Sequence, residues 1–248
     1  MPPEVIDLAQ NHDIDREFLP IEIRTGESGR SRPHPNYTVH VDVRRPLIVS
    51  LCLLFLTARA FCADRPRLVC FGDSITAGYG LSPGESYPDA LQRDLDKLGY
   101  RYRVDNLGTS GATTKDAVAR VHEIISLHPA IVIVEFGGND GLRGLPLDQT
   151  RHNLDSVLTT VESAHIRVLL AGITLPPNYG PDYVHQFDQI FLDLAAKHRT
   201  ALVPMIYKDL VPVPGTIQPD GIHPTSKGSE IIARTLLAAL KPMLRKSP

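Results

Sequence analysis

The sequence predicts an α/β protein built on a parallel sheet with helices on both faces. Apolar strand-like runs alternate with segments of helical spacing across residues 64–248. Ala130–Phe136 (AIVIVEF) is β-branched and nearly unbroken, as a strand buried on both faces should be. Three glycine-bearing motifs follow predicted strands, and a fourth precedes the last helix. In such folds ligands bind beyond the carboxyl ends of the strands, so all four motifs can meet on one rim.

In chain order, Arg67–Phe71 (RLVCF) reads as a buried strand ending in a turn at Gly72. Tyr87–Leu98 sets Ala90, Leu91, Leu95 and Leu98 at helical spacing, and Tyr102–Leu107 reads as a second strand. Thr113 and Asp116 form a capping-box pattern opening a helix. That helix carries Val118, Val121, Ile124 and Ile125 on its expected inner face and stops near Pro129. After the 130–136 strand come a helix at Pro146–Ala164 and a strand at Arg167–Thr174. A helix at Tyr183–His198, a short strand from Ala201 and a terminal helix over Thr225–Leu244 complete the pattern, with Thr225 as its cap.

Composition narrows the function. Of 248 residues, 42% are hydrophobic and the net charge is −2, so no global field favours nucleic acid. The three cysteines, Cys52, Cys62 and Cys70, make no metal-ligand spacing, and no metal site is expected. Cys70 reads as a small buried hydrophobe.

The N-terminal region reads differently. Residues 1–43 are polar and aperiodic and are expected to be disordered or not naturally translated, with initiation near Val41 or Val43. Residues 44–63 read as a secretory signal peptide: Arg44-Arg45, the apolar run LIVSLCLLFL, then small residues. Ten apolar residues are too few for a bilayer core of about 30 Å, so no lasting membrane insertion is expected after processing. The protein is therefore expected to be exported, as a periplasmic or secreted monomer with its folded domain at 64–248.

The motifs carry acyl-transfer chemistry. Ser74 follows Gly72-Asp73 at a strand end, where a sharp turn exposes its Oγ and its own N–H. A serine hydroxyl needs a neighbouring base to become a nucleophile. Asp220-Gly221-Ile222-His223 supplies one: the carboxylate can fold back onto one imidazole nitrogen and fix the tautomer while His223 takes the serine proton. Gly108, after a strand, and Asn139, in Gly137-Gly138-Asn139-Asp140, can add an N–H and a side-chain amide to the N–H of Ser74 as an oxyanion hole. The other histidines lack such a pattern, and His122, His128, His152 and His198 read as helix-surface residues. A rival nucleophile is Ser110, in the near-elbow Gly108-Thr109-Ser110-Gly111-Ala112, although Ala replaces the last glycine.

FGDSITAGYG, GGNDGLRG, LPPNYG and DGIHP together resemble the SGNH, or GDSL, hydrolases, in their bacterial periplasmic thioesterase, lysophospholipase and arylesterase branch. The resemblance covers roughly residues 67–245 and departs from the pattern in reading Gly-Asp-Ser-Ile for Gly-Asp-Ser-Leu. It implies a flavodoxin-like three-layer α/β/α sandwich with no cofactor. It also implies a triad of Ser74, Asp220 and His223, an oxyanion hole of Ser74, Gly108 and Asn139, and an acyl ester or thioester substrate. In that branch the loop after the Asn helps cover the acyl chain, which makes Leu142 and Leu145, with Leu175–Gly180, expected acyl contacts. Two other readings use the same residues: a carbohydrate acetylesterase, and a non-catalytic acyl- or glycan-binding relative.

Overall fold

The computed structural model describes residues 65–246. The expected extension at 1–43, the expected signal segment at 44–63, and Cys52 and Cys62 lie outside the described residues. Five parallel strands form one sheet: β1 (Arg67–Gly72), β2 (Arg103–Gly108), β3 (Ile131–Glu135), β4 (Arg167–Ala171) and β5 (Ala201–Val203). Their order is β2-β1-β3-β4-β5, the flavodoxin-like order, which reverses direction between β1 and β3. The helices are α1 (Ser74–Ala77), α2 (Tyr87–Lys97), α3 (Thr114–Leu127), α4 (Gly138–Leu142), α5 (Leu147–Ser163), α6 (Pro181–His198) and α7 (Ser226–Leu240).

Sequence explains most of these elements locally. Leu68–Phe71 and Ile131–Val134 are fully buried, so β1 and β3 need apolar side chains on both faces, and the Phe71 and Phe136 rings meet edge-on at 4.7 Å. Strand β2 lies at the sheet edge and tolerates polar residues. The Ser86 amide and hydroxyl both donate to Asp89 at the start of α2. The Thr113 amide and hydroxyl do the same to Asp116 at the start of α3, and these bonds hold the Asp116 carboxyl below its usual range. Pro181 opens α6, where its missing N–H costs nothing. Thr225 caps α7 by accepting from the Gly228 amide.

Several expectations are corrected. Helices α1 and α4 have four and five residues, too short to show a period. Strand β4 ends at Ala171, and the apolar Ile173 and Leu175 beyond it wall a cleft instead of extending the sheet. On α3 the buried face is Thr114, Ala117, Val121 and Ile124, and Val118 is exposed.

His198 is not a helix-surface residue. Its ring donates from Nδ1 to Glu162 at 2.8 Å and from Nε2 to Asp155 at 2.7 Å, tying α6 to α5. Its side chain is only 7% exposed. Burial pushes its pKa down, but the two carboxylates outweigh that and the net shift is upward. A raised histidine pKa stabilises the fold fully below the unfolded value of about 6.5, and that contribution is lost as pH rises through the folded value. His198→Gln is therefore expected to lower Tm by about 2–4 °C near pH 5.5, with a smaller deficit near pH 9, measured by calorimetry at both values.

Candidate active site

The register sets Gly72, Gly108 and Glu135 abreast at the carboxyl ends of β1, β2 and β3. The nucleophile candidate follows directly. Asp73 closes the turn by accepting from the Ile75 amide through Oδ1 at 3.0 Å, which starts α1 and points Ser74 out at its first residue. Among the described residues the Ser74 N–H has no hydrogen-bond partner.

The loop from Ile217 to Pro224 brings the base to it. The hydroxyl of Ser74 donates to His223 Nε2 at 2.9 Å, and His223 Nδ1–H donates to Asp220 Oδ2 at 2.6 Å. Asp220 Oδ1 also accepts from the Ile222 and His223 amides. Burial pushes the Asp220 carboxyl up, but these donors and the imidazole outweigh it and bring its pKa down to about 2. The loop is held by the Gln218 amide donating to the His223 carbonyl, and by the Tyr207 hydroxyl donating to the Ile222 carbonyl. The Tyr79 ring lies beside the imidazole at 4.6 Å, and the Tyr79 carbonyl accepts from Gln218 Nε2. Tyr79 lies in FGDSITAGYG but nothing there marks it as a neighbour of His223, and Tyr207 lies in no motif, so sequence reading missed both.

The Gly108 expectation is corrected. Its N–H donates to Asn106 Oδ1 at 2.9 Å, so it is not free to meet a substrate oxygen. Position 108 is glycine for another reason: a Cβ there would lie 2.1 Å from the Ala77 amide nitrogen, so α1 needs the room. Further along the same loop, Gly111 has φ +80° and an N–H without a partner among the described residues. Arg143 donates to the Gly111 carbonyl at 3.0 Å, and Asn139 Nδ2 donates to the Ala112 carbonyl at 3.0 Å, which sets this loop against α4. Asp140 secures the other side of α4 by accepting from the Thr114 amide and hydroxyl. Asn139 Nδ2 also donates to Asp73 Oδ2 at 3.1 Å. Both partners are acceptors, which fixes the amide with its NH2 inward.

Ser110 is exposed and has no imidazole partner among the described residues. Among the described residues no cluster of three or more His, Cys, Asp or Glu side chains is arranged to hold a metal ion, and no helix is long and apolar enough to cross a membrane.

An apolar cleft of ≈ 210 Å³ opens between Gly138, beside Asn139, and Gly221-Ile222, beside His223. Leu142, Ile173, Leu175, Pro177 and Met205 line it. The Tyr179 hydroxyl donates to the Leu142 carbonyl and joins the 175–180 segment to α4. Leu145 is outside this lining: it is 37% exposed, and its carbonyl faces the Tyr183 hydroxyl.

Comparison with known proteins shows the family. Residues 70–231 match the model of the GDSL-like Lipase/Acylhydrolase family. The chain is 39% identical over 201 residues to Esterase TesA of Pseudomonas aeruginosa, covering 81% of this chain and 100% of that protein. It is 37% identical over 195 residues to Thioesterase 1/protease 1/lysophospholipase L1 of Escherichia coli K12, covering 78% of this chain and 91% of that protein. The crystal structure of TesA superposes with a TM-score of 0.69 at 40% identity, over 72% of this chain and 99% of that one.

Proposed function

The chain belongs to the GDSL-like lipase/acylhydrolase family and is an enzyme that hydrolyses ester bonds, and we propose that it does so through an acyl-enzyme on Ser74. The observation that carries this reading is the line from Asp220 through His223 to the Ser74 hydroxyl, at 2.6 and 2.9 Å. His223 Nε2 takes the serine proton as Oγ attacks the acyl carbonyl, and Asp220 holds the tautomer and balances the imidazolium. The same proton then goes to the leaving alcohol or thiol. Water, activated by His223 in turn, releases the acyl group.

The developing oxyanion is received by the Ser74 and Gly111 N–H groups and by the Asn139 amide. Support for Gly111 over Gly108 is that the Gly108 N–H is engaged and the Gly111 N–H is not. Asn139 reaches the oxyanion by sharing a proton now directed at the Ala112 carbonyl or at Asp73. A fluorophosphonate probe is expected to modify Ser74, identified by peptide mapping; a mark on Ser110, or none on folded protein, would refute the assignment.

The acyl group occupies the cleft beside Leu142, Ile173 and Leu175. Its volume is below the ~300–1,000 Å³ of drug-sized sites and suits an acyl chain. Leu142→Ser is expected to lower kcat/KM for octanoyl esters by roughly tenfold and for acetyl esters little, since losing buried apolar contacts costs about 1–3 kcal/mol. Equal losses across chain lengths would remove the cleft from the acyl site. Arg44-Arg45 followed by LIVSLCLLFL further supports export by a cleaved signal peptide, to be checked by N-terminal sequencing of the mature enzyme.

A further inference from the structure

Behind Ser74 lies a carboxyl group that the mechanism above does not use. Glu135, the last residue of β3, is fully buried. Its Oε2 accepts from the Thr76 hydroxyl at 2.8 Å and from the Asp73 amide at 3.4 Å, while Oε1 has no hydrogen-bond donor among the described residues. The Asp73 carboxyl, 1% exposed, belongs to the residue whose amide meets Oε2, so two buried carboxyl groups adjoin. Two adjoining carboxylates, both out of water, are not both ionised.

We propose that Asp73 and Glu135 share one proton, carried by Glu135, and that this pair positions the Asn139 amide for the oxyanion. The proton belongs on Glu135 because the negative charge is better served on Asp73. Asp73 Oδ1 accepts from the Ile75 amide and Oδ2 from Asn139 Nδ2, and the His223 imidazole lies near enough to favour its anion. Glu135 has one hydroxyl, one long amide contact and an oxygen with no donor. A hydrogen on that bare Oε1, given to Asp73, leaves every polar atom of the pair paired.

Besides His223, the described groups that face the pair are neutral. The Tyr87 hydroxyl from α2 donates to Thr76 Oγ1 at 2.9 Å, which frees the Thr76 hydrogen for Glu135. Cys70 on β1, Tyr87, and Tyr207 from the loop after β5 also face the pair; burial pushes all three upward in pKa, so each is neutral in the working range. Burial likewise raises both carboxyls, with Asp73 at about 6 and Glu135 well above the usual carboxylate range. Asp73 and Glu135 thus act through Asn139 and are positioning residues.

The inference rests on the Ser74 reading, but its first test needs no substrate. Infrared spectra in D2O near pH 7 are expected to show the carbonyl stretch of a protonated carboxylic acid in the wild-type enzyme and none in Glu135→Gln. The absence of that band in the wild type, or its survival in Glu135→Gln, overturns the shared proton whether or not Ser74 takes the fluorophosphonate. Glu135→Gln mimics the protonated acid, with an NH2 toward Asp73 and an oxygen toward Thr76, and is expected to keep kcat within about threefold.

Asp73→Asn sets an NH2 against Asn139 Nδ2 and turns the amide away. It is expected to lose about 10²–10³ in kcat with KM little changed. An unchanged kcat in Asp73→Asn, or a loss in Glu135→Gln as large as that in Asp73→Asn, overturns the positioning role.

Discussion

Ser74→Ala is expected to lower kcat for a soluble aryl ester by about 10⁴–10⁶-fold while leaving KM and Tm close to the wild-type values. The asymmetry has a structural basis. The serine side chain makes one polar contact, to His223 Nε2, so removing its oxygen leaves no buried partner bare and costs the fold little. The three proposed oxyanion donors remain, so the residual rate reports what binding and the oxyanion hole achieve without a nucleophile. Steady-state kinetics with an active-site titration distinguish this from contaminating wild-type enzyme. A residual kcat above one-hundredth of the wild type would mean that Ser74 is not the nucleophile.

Asp220→Asn is expected to lower kcat by about 10⁴-fold with the loop geometry intact. The asparagine oxygen can still accept from the Ile222 and His223 amides, which keeps the turn. Its NH2 then faces His223 Nδ1 where a carboxylate oxygen stood. That ring nitrogen must become an acceptor, so the imidazole hydrogen moves to Nε2 and points at the Ser74 hydroxyl it should deprotonate. The side chain of Asp220 is 37% exposed, and Tm should change little. Its low pKa gives the sign of the pH effect: the stabilising contribution of the carboxylate is present above the ordinary value of about 3.9 and lost as pH falls through about 2. Crystallography of the variant would show the ring unmoved, and a rate within tenfold of the wild type would remove Asp220 from the proposed triad.

Two glycines, at the end of β2 and beyond it, show where sequence reading stops. Gly108, the last residue of β2, reads as a backbone donor in the sequence, whereas Gly111, three residues on, carries no such mark. Only the fold shows that the Asn106 side chain, one residue from Leu107, turns back to take the Gly108 N–H. Only the fold shows that Asn139 of α4 and Arg143 just after it hold the loop at the Ala112 and Gly111 carbonyls. Leu142 and Leu145 part in the same way. They are three residues apart around the end of a short helix, and one lines the cleft while the other is exposed, with its carbonyl toward the Tyr183 hydroxyl. His198 is a third case, since its partners Asp155 and Glu162 lie 43 and 36 residues away on another helix.

The sequence by itself determined the parallel α/β class, through strand runs buried on both faces alternating with amphipathic helices, and it placed the four motifs at the ends of those elements. Both depend on local period and on turn chemistry, which a chain carries in its own order. Tertiary structure alone decided which groups meet: His223 with Ser74, 149 residues apart, the buried carboxyls of Asp73 and Glu135, and the tyrosines beside the histidine loop. Those contacts arise because the order β2-β1-β3-β4-β5 reverses between β1 and β3 and brings Ser74 and Asn139 to the same gap. A carboxyl at the end of an apolar strand carries no mark in sequence of being buried against another. Only the packing of α1 over that gap excludes the water that would otherwise let both ionise.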